Sequence, residues 1–133
     1  MKKHQILIIA LLVLSLTGCA AQTPSEPPAV EYKKITPQEA QEMMSENVMI
    51  LDTRTQEEFD EGHIPNAVLL PDYEVKEKAE SVLPDKNQTI LVYCRSGRRS
   101  ALAANDLIEM GYTKVFDFGG IIDWTGEVVK DGG

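Results

Sequence analysis

Four short, mainly apolar runs punctuate the chain: Val48 to Leu51, Ala67 to Leu70, Thr89 to Tyr93 and Val115 to Phe118. Continuous rather than alternating apolarity predicts strands covered on both faces, as in a parallel sheet. Amphipathic stretches lie between them. Thr36-Pro37-Gln38-Glu39 reads as a capping box with proline at the first helical position, and Ala40, Met43 and Met44 give that helix a core-facing stripe. Thr55-Gln56-Glu57-Glu58 is a second capping box, opening a short helix that Gly62 ends. Asp72 to about Leu83 is predicted helical, with Pro84 as its stop. Ser100 to Met110 is a further helix, with Ser100 as N-cap and Gly111 as the residue past its end. Its polar positions Asn105, Asp106 and Glu109 lie on one side. Ile121 to about Val129 is predicted as a final helix, with Trp124 packing beside Ile121 and Ile122. Strands alternating with helices imply a parallel α/β sheet joined by right-handed crossovers.

The first residues follow another pattern. Lys2 and Lys3 precede a nearly unbroken apolar run, Ile6 to Leu16, too short for a comfortable membrane span. It ends in Leu16-Thr17-Gly18-Cys19, which resembles a bacterial lipobox. Residues 1–18 are therefore expected to be a lipoprotein signal peptide, cleaved to leave Cys19 N-terminal and lipid-modified. An uncleaved anchor, or an ordinary signal peptide cut near Ala20 or Ala21, is the alternative. Residues 19–31 carry Pro24, Pro27 and Pro28 among polar neighbours and read as a flexible linker. Residues 32–133 form one domain. The expected protein is exported and anchored to the membrane of the bacterial envelope, with its domain outside the cytoplasm.

Composition changes this picture little. At 133 residues with 43% hydrophobic content the chain has room for one globular domain. The net charge of −8 argues against nucleic acid as a partner. Losing Lys2 and Lys3 makes the mature body more acidic still, so lipid on Cys19 rather than charge must hold it to a membrane.

Against that acidic background one basic stretch stands out: Cys94-Arg95-Ser96-Gly97-Arg98-Arg99-Ser100, between an apolar strand and a helix. A thiol at a strand's C-terminal end sits at the functional edge of an open α/β sheet. Cations and a helix N-terminus favour its reactive thiolate form. Backbone N–H groups of the first turn and the guanidinium groups of Arg95, Arg98 and Arg99 are suited to an incoming anion. Gly97 permits the tight turn. A buried structural cysteine is the plain alternative. Spacing narrows the chemistry, because a phosphatase loop of the Cys-x5-Arg kind would place arginine at position 100, where Ser100 stands. The loop is sized for one sulfane sulfur on Cys94 rather than for a phosphate monoester.

Tyr93 to Ser100 resembles the active-site loop of single-domain rhodaneses, the thiosulfate sulfurtransferases. Leu51-Asp52-Thr53-Arg54, Glu58-Phe59 and Glu61-Gly62-His63-Ile64-Pro65-Asn66-Ala67 resemble that family's first signature. Gly111-Tyr112, Gly119-Gly120-Ile121 and Trp124 resemble its last, and Pro84-Asp85-Lys86 is similar to the small exported phage-shock members. The likeness runs from about residue 34 to 130. It implies a three-layer α/β fold with a five-stranded parallel sheet and helices on both faces. It also implies sulfur transfer from a small anionic donor such as thiosulfate, through a Cys94 persulfide, to cyanide or a thiol. Arg95, Ser96, Gly97, Arg98, Arg99 and Ser100 are then the substrate-binding set, with Arg98 and Arg99 inseparable by sequence. A carrier or sensor that holds the persulfide without turnover, or an envelope interaction module, is the rival reading.

Other residues are weaker candidates. Asp52 and Arg54 follow a strand end and either support the site or form a structural ion pair. Glu58 is an arginine partner or simply the capping-box acid. His63 has a base's chemistry, but the resemblance makes it part of a turn. Two histidines and two cysteines, one of each near the N-terminus, do not make a zinc cluster, and no metal or other cofactor is called for. With Cys19 lipidated, no disulfide forms within the mature chain and Cys94 has no resolving thiol.

Overall fold

The computed structural model describes residues 29–130 together with Gly18. The expected signal peptide, the lipid site Cys19 and most of the linker lie outside the described residues. The chain runs through strand β1 (Lys33–Lys34), helix α1 (Pro37–Met43), β2 (Val48–Asp52), α2 (Gln56–Glu61) and β3 (Val68–Leu69). It continues through a 3-10 turn (Asp72–Glu74), α3 (Val75–Val82), β4 (Thr89–Cys94), α4 (Arg98–Glu109), β5 (Lys114–Gly120) and a last 3-10 turn (Ile121–Asp123).

All five strands pair in parallel, in the order β1-β5-β4-β2-β3. The central strand β4 alternates its side chains between two cores. Ile90 and Val92 join Leu51, Leu70 and the buried residues of α3 and α4, among them Val75, Ala79, Ala103 and Leu107. Leu91 and Tyr93 join Ile50, Phe118 and Ala40 of α1 on the other face. This is the expected three-layer α/β arrangement. The alternation also decides where the thiol goes. Cys94 has the parity of Ile90 and Val92, so it points to the face that α4 covers. The pairing of β4 with β5 slips between Val92 and Cys94, bringing Cys94 opposite Gly120.

Both capping boxes form: Thr36 caps α1 with Glu39, and Thr55 caps α2 with Glu58. Met43 and Met44 pack on the second core as expected. One strand was not located from the sequence, and three expectations need correction. Strand β1 is two exposed lysines, with no apolar signal to announce it. The segment predicted helical from Asp72 to Leu83 splits into the 3-10 turn and α3. Leu83 leaves the helix at φ −125, ψ 72, as the residue before Pro84 must avoid helical geometry. The final helix is only the turn Ile121–Asp123. Val129 instead makes two 2.8 Å backbone hydrogen bonds with His63, which draws the chain out straight. Trp124 packs on Phe118 and donates its indole N–H to the Glu127 carbonyl at 3.0 Å. Lastly, α4 starts two residues early, with Gly97 at its N-cap and Ser100 inside the first turn.

Candidate active site

The N-terminus of α4 begins where β4 ends, and only three residues, Arg95 to Gly97, join them. So short a link needs a left-handed residue, and Gly97 takes φ 104, ψ −13. That conformation aims the Gly97 N–H at the Cys94 sulfur, 3.0 Å away. Cys94 itself is 1% exposed and forms the floor of the loop. The loop rests on the end of β5 and the turn after it: the Arg95 carbonyl accepts from the Ile122 N–H at 3.3 Å. A Cβ at Gly120 would collide with that same carbonyl oxygen.

Ser100 is buried and acts as more than a helix position. Its hydroxyl donates to the Asp117 carboxylate at 2.7 Å, and its oxygen accepts the Cys94 S–H at 3.6 Å. Asp117, 4% exposed, also accepts the Gly119 N–H at 2.9 Å. Asp117 was not singled out from the sequence. The available signal was a lone carboxylate between Phe116 and Phe118 in an otherwise apolar strand.

The three arginines separate. Arg99 makes two hydrogen bonds to Glu58, at 2.7 and 2.8 Å. These bonds from Arg99 hold the Glu58 carboxyl well below the usual range, at about 2. Glu58 is thus both arginine partner and capping acid. Its reach from α2 ties the N-terminus of α4 to the neighbouring helix. Arg95, Ser96 and Arg98 are exposed at the mouth of the loop.

Asp52 and Arg54 form a buried pair at 2.7 Å. Arg54 also donates to the Gly62 carbonyl at 2.7 Å, and Asp52 accepts the Tyr93 hydroxyl at 2.6 Å. Burial pushes the Tyr93 hydroxyl's pKa up, and the Asp52 charge adds to this. The Tyr93 oxygen in turn accepts the Ile64 N–H at 3.1 Å. The Tyr93 bonds brace the segments after β2 and α2 against β4 directly before Cys94, and the Arg54 bonds tie those two segments together. The pair therefore supports the site without touching the sulfur. His63 stacks on Phe59 with ring centroids 3.7 Å apart, and its Nδ1 lies 2.9 Å from the Phe59 carbonyl. It belongs to the turn rather than to the thiol.

A parallel α/β domain carrying a cysteine under a helix N-terminus, in a loop of arginines, defines a class of thiol enzymes and sulfur carriers. The rhodanese-like domain family matches residues 36–127, and the chain belongs to that family. The thiosulfate sulfurtransferase PspE of Escherichia coli is 44% identical over 73 residues, covering 55% of this chain and 70% of that protein. The putative sulfur carrier protein YrkF of Bacillus subtilis is 40% identical over 83 residues, 62% of this chain but 44% of that longer protein. The solved structure of a rhodanese with anions from E. coli is 41% identical, with a TM-score of 0.59 over 62% of this chain and 98% of that one. A rhodanese-like domain protein from Staphylococcus aureus is 32% identical, with a TM-score of 0.62 over 75% of this chain and 99% of that one.

Proposed function

We propose that this domain moves a sulfane sulfur from thiosulfate, or a related small anionic donor, to cyanide or a thiol through a persulfide on Cys94. The observation that carries the reading is the Gly97 N–H on the Cys94 sulfur at 3.0 Å, at the N-terminus of α4. A donor of that kind stabilises anionic sulfur before and after transfer. In the first step the Cys94 thiolate attacks the outer sulfur of thiosulfate. The donor's S–S bond breaks, sulfite leaves with its electron pair, and a new S–S bond forms on Cys94. In the second step the acceptor attacks the outer sulfur and the Cys94 thiolate leaves. The two half-reactions give ping-pong kinetics. Arg95 and Arg98, exposed at the loop's mouth, attract the anionic donor.

A persulfide carrier without efficient turnover is the second reading. The burial of Cys94 favours it, because a covered sulfur is shielded from solvent thiols. The lipid on Cys19 would hold either protein at the envelope membrane by acyl burial.

The test uses the full chain carrying Cys19→Ala, so that Cys94 is its only cysteine. Intact mass is read before and after thiosulfate. A gain of one sulfur atom, reversed by cyanide with thiocyanate released and absent in Cys94→Ser, supports transfer. Sulfur gained but released only slowly supports the carrier. No gain from thiosulfate or polysulfide by folded, reduced protein overturns both.

A further inference from the structure

The contacts of Ser100 are more numerous than one hydroxyl can serve. Its oxygen lies 2.7 Å from Asp117 Oδ1, 3.1 Å from the Gly97 carbonyl, 3.4 Å from the Gly119 carbonyl and 3.6 Å from the Cys94 sulfur. A hydroxyl has one proton to donate. The shortest contact, to an ionised carboxylate, takes it. That leaves only oxygen lone pairs facing the sulfur. A lone pair accepts from a thiol and repels a thiolate. We propose that Asp117 is a positioning residue that fixes the Ser100 hydroxyl with its lone pairs toward Cys94, so that this side of the sulfur favours the thiol while the loop favours the thiolate.

The same chain of atoms might suggest a relay, in which Asp117 takes the thiol proton through Ser100. Reference values weigh against it. A carboxylate is a much weaker base than a thiolate, so that transfer runs uphill. The proton of Cys94 must leave for solvent instead, with Asp117 still charged behind it. Arg99 acts on Cys94 from α4 and opposes Asp117 there, while Arg95 and Arg98 lie exposed at the mouth of the loop. Glu58 of α2 offsets Arg99 through its paired hydrogen bonds. Asp72, from the turn before α3, also acts on Arg99. Lys34 and Asp117 line one shallow cleft with Gly97 and Gly119. The loop thus balances two influences on one sulfur. Its cations and the Gly97 N–H favour thiolate, and the Asp117–Ser100 unit opposes it.

This assignment rests on the sulfur-transfer reading only for its consequence, a slower first step below neutral pH. Its test does not. The Asp117→Asn variant keeps the shape and removes the charge, so the Ser100 proton loses its ionised acceptor and is held less firmly away from the sulfur. In the full chain with Cys19→Ala, the rate of alkylation by iodoacetamide, a neutral electrophile, is followed from pH 4 to 10. The midpoint is expected to move to lower pH by one unit or more in Asp117→Asn. In a Ser100→Ala background the same substitution is expected to move it less than half as far. An unmoved or alkaline-shifted midpoint overturns the proposal. A full shift without Ser100 means charge acts through space and overturns the positioning role. Should Asp117→Asn not fold, the S–H stretching band of the otherwise native chain decides. A band shifted to lower frequency at acidic pH, absent in Cys94→Ser, supports a thiol that donates to Ser100, and a band at the frequency of an unbonded thiol overturns it. Sulfur acceptance from thiosulfate is measured alongside, so loss of transfer with a shifted profile would count only against the function.

Discussion

Replacing Gly120 with alanine puts a methyl group where the active-site loop already is. Its Cβ would run into the Arg95 carbonyl oxygen and come within 2.6 Å of the Arg95 carbonyl carbon and of Ser96 Cα. All three are backbone atoms, so no side chain can swing away. Carbon atoms in contact sit about 3.5–4.0 Å apart, so the loop or β5 must move by roughly 1 Å. Overpacking of this kind costs about 1–3 kcal/mol. A displacement of about 1 Å at a reacting group costs on the order of a hundredfold in rate. Gly119 supplies the control. It takes φ 85, with nothing within 4 Å of its Cβ. Alanine there meets left-handed strain of about 1–2 kcal/mol but leaves the loop alone. Both variants are expected to melt several degrees below the parent. Only Gly120→Ala is expected to lose sulfur acceptance about a hundredfold, measured as the rate of mass gain with thiosulfate. Equal rates for the two variants, with both folded, would refute the account of how β5 seats the loop.

Three further outcomes follow from the site. Arg98→Ala is expected to raise KM for thiosulfate about tenfold, the effect of losing a charge-assisted hydrogen bond to an anion; an unchanged KM would remove Arg98 from the donor's path. Glu58 titrates at about 2 in the fold against an ordinary 4.5, so it contributes stability above pH 4.5 that is lost as pH falls toward 2. The melting temperature of the parent should therefore drop more steeply over that window than that of Glu58→Gln, and parallel curves would contradict the bridge to Arg99. Asp52→Ala strips the buried Arg54 of its carboxylate, and urea unfolding should show a loss of about 3–5 kcal/mol; a loss under 1 kcal/mol would mean that Arg54 is solvated rather than buried.

How far the chain could be read in advance depended on where each element draws its stability. Helices α1 and α2 were legible because their start signals are local, with Thr36 and Glu39, or Thr55 and Glu58, three residues apart. The central strands were legible because burial on both faces leaves a continuous apolar run. Strand β1 carries no such mark: its two lysines pair with Phe116 and Asp117, and only β5 makes them a strand. The end of the domain failed as a helix for a similar reason, since the pairing of Val129 with His63 is a contact across 66 positions that no local period encodes. The site divides along the same line. Cys94, the glycine turn and the basic loop are contiguous, so chemistry and spacing exposed them together. The partition of the arginines was hidden because Glu58 reaches Arg99 from another helix. Asp117 was hidden for the same reason, lying on β5 while its partner Ser100 lies on α4. A contiguous motif therefore discloses which atom is the candidate to react. What sets that atom's readiness to react comes from carboxylates elsewhere in the chain, and only the folded sheet brings them to the loop.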